Sequence, residues 1–310
     1  MNTRRLVLGG LAALALPVRA AGPKPLQVVA SFSILADMVR EVAGPAADVS
    51  ALVGPNGDAH VFTPTPADAQ RLARADLVFV AGLGFEGWID RLIRASGYRG
   101  SVVVASRGIQ PRPVGRGFDP HVWQSLVHAQ AWVRNIRTAL VAAAPAHATT
   151  IESRAAAYLG ALESLDREAR AGFAALPEQR RRVITSHDAF GYLGEAYGIT
   201  FSAPRGWTTH AEPSAAQVGA VIRQVRAQQA NALFVENISD ARLVERIAQE
   251  TGAVVGGTLY SDALSPPGTA ADTYLRMYAH NVRTIAGALR ASCAAAGDAC
   301  TLASKGEPPR

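Results

Sequence analysis

Three of the seven histidines, His60, His121 and His187, lie in loops that follow predicted β-strands. Asp262 stands in the same kind of position, after the apolar segment that ends at Leu259. In parallel α/β sheets, ligands collect outside the carboxyl ends of the strands. Three imidazole nitrogens and one carboxylate oxygen form a set that four-coordinate Zn²⁺ accepts without any cysteine. These four residues are therefore candidate ligands of one metal ion.

Four acidic residues lie near the candidate ligands or at predicted strand ends, and one or more of them could orient a ligand imidazole: Asp58, Asp119, Asp188 and Glu236. A Zn²⁺ ion held by three neutral imidazoles and one carboxylate keeps a net positive charge, which favours acidic partners around the ligands. Asp119 precedes His121 by two residues, and Glu236 directly follows another predicted strand, Ala232 to Val235. Each has a structural alternative, because Asp119 could begin a turn before Pro120 and Glu236 could cap a helix.

The other histidines are weaker candidates. His128 and His280 fall within predicted helices, where a packing or solvated role is the commoner one. His147 is predicted to begin a helix. His210 lies in a loop near the expected cleft, and an accessory role in metal binding stays open for it.

The elements that must position these residues alternate between short β-rich segments and amphipathic helical segments. One series runs from Leu26 to Ala105, and a second runs from Arg182 to Leu289. Such alternation predicts parallel sheets built from βα units. The predicted fold class is therefore α/β, with two parallel-sheet lobes and a metal cleft between them.

A long helix is predicted between the two series. Residues 146–175 carry apolar side chains at helical spacing, with Pro145 and Pro177 at the ends. A helix of about 30 residues spans about 45 Å, enough to act as a stiff backbone for both lobes. The predicted organisation is a signal peptide (1–21), a first lobe (24–144), a backbone linker helix (145–177), a second lobe (180–292) and a tail (293–310).

The first 20 residues have the composition of an export signal. Arg4 and Arg5 precede an apolar run from Leu6 to Leu16, and small residues follow near Ala20. The run is too short for a permanent membrane helix, and both Sec and twin-arginine export stay open. Because no cysteine follows the run, we expect a free periplasmic protein. N-terminal sequencing of exported protein is expected to find a mature chain that begins near residue 21 or 22 rather than at Met1.

Charge and cysteine content narrow the functional class. The formal charge is +6, and three of the arginines lie in the predicted signal peptide, which leaves +3. This charge is too small to indicate nucleic-acid binding. Cys293 and Cys300 are the two cysteines, and an even pair in an exported chain predicts a disulfide, with two free thiols as the alternative.

Several segments resemble the signature segments of the zinc and manganese solute-binding proteins of bacterial ABC importers. They are Asp58-Ala59-His60, Thr63-Pro64-Thr65-Pro66-Ala67-Asp68, Asp119-Pro120-His121-Val122-Trp123, Ser186-His187-Asp188-Ala189-Phe190-Gly191-Tyr192, Glu212-Pro213-Ser214 and Leu259-Tyr260-Ser261-Asp262-Ala263-Leu264. The resemblance extends over nearly all of the predicted mature chain and is greatest to the zinc-type members, including the AztC-like group.

The resemblance implies a role in zinc transport. It implies that His60, His121, His187 and Asp262 hold one Zn²⁺, and that a monomer delivers the ion to the membrane permease of an ABC importer. A periplasmic metallochaperone is a further possible partner. Many zinc-type relatives carry a His-rich loop before the second ligand, whereas residues 107–119 contain no histidine and one acid.

Two other functions are weighed against zinc transport. Manganese prefers more oxygen ligands, and manganese-type relatives typically carry Glu where His187 stands, so His187 favours zinc. A zinc-dependent hydrolase would need an open position for water, which Asp262 fills, and a general base, for which no His-Glu-x-x-His motif is present. We therefore expect no enzymatic activity.

Overall fold

The computed structural model describes residues 24–203, 214–228, 230, 232–239 and 241–295. Four predictions involve positions outside these residues: the signal peptide, the accessory role of His210, the disulfide that needs Cys300, and the tail. They stay predictions. No helix in the described ranges is long and apolar enough to cross a membrane.

The first lobe is built on a parallel sheet with the strand order β2-β1-β3-β4. Its strands are β1 (Leu26–Phe32), β2 (Ala47–Val53), β3 (Leu77–Val80) and β4 (Ser101–Val104). Its helices are α1 (Ser33–Ala43), α2 (Pro66–Ala73), α3 (Ile89–Ser96) and α4 (Leu126–Ala143). Every residue of β3 is buried, as expected for an inner strand of a sheet that helices cover on both faces.

A small antiparallel hairpin lies between β4 and α4. It consists of β5 (Pro113–Val114) and β6 (Gly117–Phe118). The sequence predicts a loop over residues 107–119, and its Gly and Pro content conceals these two short strands. The hairpin is important for the site because it ends directly before Asp119.

A single long helix, α5 (Ala148–Ala174), follows a 3₁₀ turn over Pro145–His147. Its 27 residues correspond to about 40 Å of helix, and it lies within the predicted linker. One stripe of its side chains is buried, including Ile151, Tyr158 and Leu162. This stripe packs on α1 and α4 of the first lobe, as an amphipathic helix does when its apolar face meets a core.

The second lobe is built on another parallel sheet, with the strand order β10-β9-β7-β8. Its strands are β7 (Arg182–Ile184), β8 (Thr200–Ser202), β9 (Ala232–Glu236) and β10 (Val255–Leu259). Its helices are α6 (Gly191–Tyr197), α7 (Ala215–Gln228), α8 (Ala241–Thr251) and α9 (Tyr274–Ala295). Both α6 and α9 contact α5, so the long helix packs on both lobes.

One large core cluster contains buried residues of both lobes and of α5, and a smaller cluster lies between the second sheet and helices α7 and α8. The two-lobed α/β fold with a long connecting helix was predicted from the alternation of strands and helices, and the structure confirms it. The loops at the carboxyl ends of both sheets meet where the lobes face each other.

Candidate metal centre

His60 is held in the loop that follows β2. Its backbone N–H donates to Asp58 Oδ1 at 2.8 Å, and the indole N–H of Trp88 donates to the carbonyl of Ala59 at 2.7 Å. The loop then ends in a capping box, in which Thr65 and Asp68 satisfy the first N–H groups of α2. The backbone on both sides of His60 is therefore fixed, while the imidazole keeps 26% of its surface exposed.

His121 follows the hairpin and is oriented by Asp119. The Asp119 Oδ1 atom accepts the backbone N–H of His121 at 3.0 Å and lies 2.7 Å from its Nδ1. Because Nδ1 faces a carboxylate, the other ring nitrogen, Nε2, is left on the opposite side of the ring, where it can bind a metal ion. Asp119 therefore stands where the sequence analysis expected an orienting acid.

His187 follows β7 and is oriented by Glu236 at the end of β9. Glu236 is fully buried, and its Oε1 accepts the backbone N–H of His187 at 2.7 Å. Its Oε2 lies 2.6 Å from His187 Nδ1. Glu236 is thus in contact with an imidazole rather than with the start of a helix.

Asp262 follows β10 and is completely buried. Its loop is held by the first lobe, because Trp123 Nε1 and Gln124 Nε2 each donate to the carbonyl of Ser261 at 2.8 Å. The side chain of Asp262 therefore comes from the second lobe while its backbone is anchored on the first.

The four candidate ligands converge. One donor atom of each of His60, His121, His187 and Asp262 lies within 4.8 Å of the others. The Asp262 Oδ2 atom is 3.2 Å from Nε2 of His60, 3.7 Å from that of His121 and 3.0 Å from that of His187. Two candidates come from each lobe, so an ion bound here would join the lobes.

The second carboxylate oxygen of Asp262 provides an independent indication of a cation. Among the described residues, no group donates a hydrogen bond to Asp262 Oδ1, although this atom is buried. A buried carboxylate oxygen without a donor is costly unless a cation or a water molecule meets it. The residues present therefore fit a divalent ion at this point.

The short distances between Asp262 and the histidines shift the pKa values of Asp262, His60 and His187 in the metal-free protein. Burial disfavours the ionised form of Asp262, but the charges of His121 and His187 outweigh burial and hold the pKa of Asp262 well below its usual range. Burial likewise disfavours protonated His187, yet Glu236 and Asp262 raise its pKa well above the usual value. The pKa of His60 is also raised, because its contact with Asp262 outweighs its burial.

An aromatic wall that the sequence analysis missed borders the imidazoles. The Phe85 ring lies 4.7 Å from His60 and 6.0 Å from His121, between ring centroids, and Trp123 lies 5.4 Å from His121. Phe85 follows Gly82, Leu83 and Gly84, which all have positive φ angles. Gly82 and Gly84 lie shortly after β3, and two glycines at the end of a strand could have indicated this sharp turn from the sequence.

Three other histidines among the described residues lie away from this cluster. His128 packs its ring against Tyr192, and burial lowers its pKa. His280 contacts the carbonyl of Thr258 on the surface of the second lobe. His147 stands at the start of α5, as predicted.

Comparison with known proteins gives the family. Residues 28–288 match the family model described as ZnuA, the periplasmic component A of the zinc-uptake complex. The chain belongs to this family.

Relatives of this ZnuA-family protein are named for different metals. The manganese-binding lipoprotein MntA of Halalkalibacterium halodurans is 32% identical over 266 residues, which cover 85% of this chain and 88% of that protein. The iron-binding protein YfeA of Yersinia pestis is 33% identical over 270 residues, with coverage of 85% and 86%. The solved structure of the periplasmic zinc-binding protein TroA of Treponema pallidum has a TM-score of 0.80 and 32% identity, with coverage of 86% and 99%.

Family membership and fold together establish the general role. The protein is the periplasmic metal-binding component of an ABC importer, and its partner is therefore a membrane permease. The matched relatives are metal-binding transport proteins rather than enzymes, in keeping with the expectation that this chain has no catalytic activity.

Proposed function

We propose that this ZnuA-family protein captures Zn²⁺ through His60, His121, His187 and Asp262 and delivers it to the permease of an ABC importer. The observation that carries the proposal is the convergence of these four donor groups from both lobes within 4.8 Å. The Oδ1 atom of Asp262, which has no donor among the described residues, supports a cation there.

The donor set supports zinc as the cargo. Three imidazole nitrogens and one carboxylate oxygen match the ligands and the coordination number that Zn²⁺ accepts. Asp119 and Glu236 each contact the far nitrogen of a ligand imidazole, the outer arrangement that fixes the ring and makes its metal-binding nitrogen more basic. Their negative charges also offset the positive charge of the bound ion.

Manganese is the second candidate, because relatives at 32% identity are named manganese-binding. The partial exposure of His60 would leave room for a water molecule in a larger coordination shell. Mn²⁺ prefers oxygen ligands, however, and three nitrogen donors favour zinc over it on general affinity grounds.

Competition titration of metal-free protein against a chelator tests the proposal. We expect one Zn²⁺ per chain and an affinity for Zn²⁺ at least tenfold higher than for Mn²⁺. Crystals with bound metal are expected to show an anomalous signal at the zinc edge among the four donor atoms. A tighter complex with Mn²⁺ would instead support the second candidate, and an anomalous peak elsewhere would refute the ligand set.

Zinc binding is expected to release protons near neutral pH. Because the pKa of His187 is raised well above 6.5 in the metal-free protein, its imidazole carries a proton that Zn²⁺ must displace. The apparent affinity should therefore rise with pH. Calorimetry at pH 7 in buffers with different ionisation enthalpies should give at least one proton released per Zn²⁺, whereas equal binding enthalpies in all buffers would contradict this expectation.

The same raised pKa contributes to the pH dependence of the stability of the metal-free protein. The group binds its proton more tightly in the folded state than in the unfolded state. Its stabilising contribution is therefore fully present below the unfolded pKa of about 6.5 and is lost as pH rises through the folded pKa. Denaturant titrations of wild type and Glu236→Gln should show this loss in the wild type and a smaller one in the variant.

A further inference from the structure

Arg112 contacts an acidic residue in each lobe. It lies just before the hairpin of the first lobe, and its Nη1 is 3.1 Å from Asp119 Oδ2. Its Nε is 2.7 Å from Glu195 Oε1, on helix α6 of the second lobe. The other oxygen of Asp119 contacts His121, so the guanidinium is two contacts away from a candidate metal ligand.

The backbone at both ends of the hairpin is tied to the same helix. The hydroxyl of Tyr192 in α6 accepts the backbone N–H of Arg112 at 2.8 Å and donates to the carbonyl of Asp119 at 2.9 Å. The backbone N–H of Asp119 donates to the carbonyl of Arg112 at 2.8 Å, which closes the hairpin. The segment that positions His121 is therefore docked on the second lobe by side-chain and backbone contacts.

Gly191, the first residue of α6, supplies the space for this contact. A Cβ atom at Gly191 would lie 2.2 Å from Arg112 Nη1 and 2.8 Å from Asp119 Oδ2. Any other residue there would push the guanidinium away. Gly191 has no positive φ, so close approach rather than backbone conformation explains the glycine.

The two acidic partners of Arg112 differ in exposure, and their expected contributions to holding the lobes together differ for that reason. The Asp119 side chain is 2% exposed, whereas that of Glu195 is 62% exposed. The ion pair with Glu195 alone is therefore a weak link between the lobes. The contact with Asp119 is buried, and its loss would leave a buried carboxylate with fewer partners.

We propose that Arg112 is a positioning residue that ties His121 to the second lobe and thereby slows release of the bound metal. This inference rests on the proposed function, because the candidate ligands come from both lobes and contacts that hold the lobes together also keep the ligands around the ion. Arg112 keeps Asp119 in place against His121 and holds α6 against the hairpin. Weakening either contact favours opening.

Metal dissociation rates test this role. Stopped-flow mixing of Zn²⁺-loaded protein with excess chelator should show dissociation about two- to fivefold faster in Glu195→Gln, since an exposed ion pair is lost. Arg112→Gln should be about tenfold faster or more, because the contact with Asp119 is lost as well. The double variant should release the metal at the same rate as Arg112→Gln alone, because both substitutions remove the same ion pair between the lobes.

Gly191→Ala tests the same network without changing any charge. The added methyl group displaces the far end of a flexible side chain, so we expect a folded protein with dissociation accelerated about as much as in Arg112→Gln. Gly160→Ala is the matched control, since a Cβ atom there meets nothing within 4 Å, and its dissociation rate should equal that of the wild type.

Denaturant titrations of the metal-free variants separate positioning from general destabilisation. We expect the stability of metal-free Glu195→Gln to match that of the wild type while its dissociation rate differs. Wild-type dissociation rates in Arg112→Gln and Gly191→Ala, or additive effects of Arg112→Gln and Glu195→Gln, would overturn the role of Arg112 while leaving the proposed function intact. Failure of the wild type to retain Zn²⁺ would overturn both.

Discussion

Replacing Asp262 with Ala is expected to lower the affinity for Zn²⁺ at least tenfold, or about 1.4 kcal/mol and more. Asp262 supplies the single carboxylate of the candidate set, and its Oδ2 atom faces the Nε2 atoms of all three histidines. Without it, a bound ion would keep its full positive charge among three neutral imidazoles. Chelator competition with the purified variant measures the loss directly.

The Asp262→Ala substitution should also change the pKa values of two histidines in the metal-free protein. Asp262 is among the groups that raise the pKa values of His60 and His187, so its removal should lower both values. Titration of the imidazole resonances by NMR would detect this shift. His147→Ala is a suitable control, because His147 lies in the turn before α5, and it should leave both affinity and stoichiometry unchanged. Unchanged zinc affinity in Asp262→Ala would show that the second lobe does not hold the ion through this carboxylate.

The sequence allowed the fold and the convergence of the candidate ligands to be predicted because both depend on local patterns. Strands such as β3 are short apolar runs, and His187 and Asp262 each follow the end of a strand by three residues, whereas His60 and His121 lie further along their loops. Parallel sheets bring their carboxyl ends to one edge, so residues far apart in sequence could be assigned to one cleft without knowledge of their contacts. The same reasoning placed Asp119 and Glu236 near the imidazoles.

The parts that escaped prediction depend on contacts between residues distant in sequence. Arg112 is one of many arginines in the chain, and nothing in its local sequence shows that it meets Glu195 on a helix of the other lobe. Phe85 looks like an ordinary core residue, and its place beside His60 depends on the turn that follows β3. Gly191 resembles a helix-start glycine until the guanidinium that it accommodates is seen.

Charged residues outside the candidate ligand set act on the ligand imidazoles. The candidate ligands provide one carboxylate, and Asp119 and Glu236 add two more behind the imidazoles. Arg112 contacts Asp119, so the carboxylate behind His121 has a cationic partner. Glu236 has no such arginine within the described contacts, and it raises the pKa of His187. His187 is therefore the ligand whose replacement should alter metal choice most.

Replacing His187 with Glu is expected to weaken zinc binding at least tenfold and to raise the preference for Mn²⁺ relative to Zn²⁺. The change exchanges a neutral nitrogen donor for a charged oxygen donor, and the resulting set of two imidazoles and two carboxylates is harder. Zinc accepts such a set, so its binding should weaken without vanishing. His187→Ala, which leaves a position that water can fill, should lose zinc affinity without the gain in manganese preference.

Glu236 makes this prediction sharper, because it would face the new carboxylate at close range. In the wild type its Oε2 atom lies 2.6 Å from His187 Nδ1, and two carboxylates in that arrangement would repel each other. The double variant His187→Glu with Glu236→Gln should therefore bind Mn²⁺ more tightly than His187→Glu alone, and Glu236→Gln by itself should not favour manganese. Parallel titrations of the four proteins with Zn²⁺ and Mn²⁺ give the ratio of affinities. An unchanged ratio in both His187→Glu variants would mean that position 187 does not determine the metal, and that selectivity depends on the space around the ion rather than on the donor atoms.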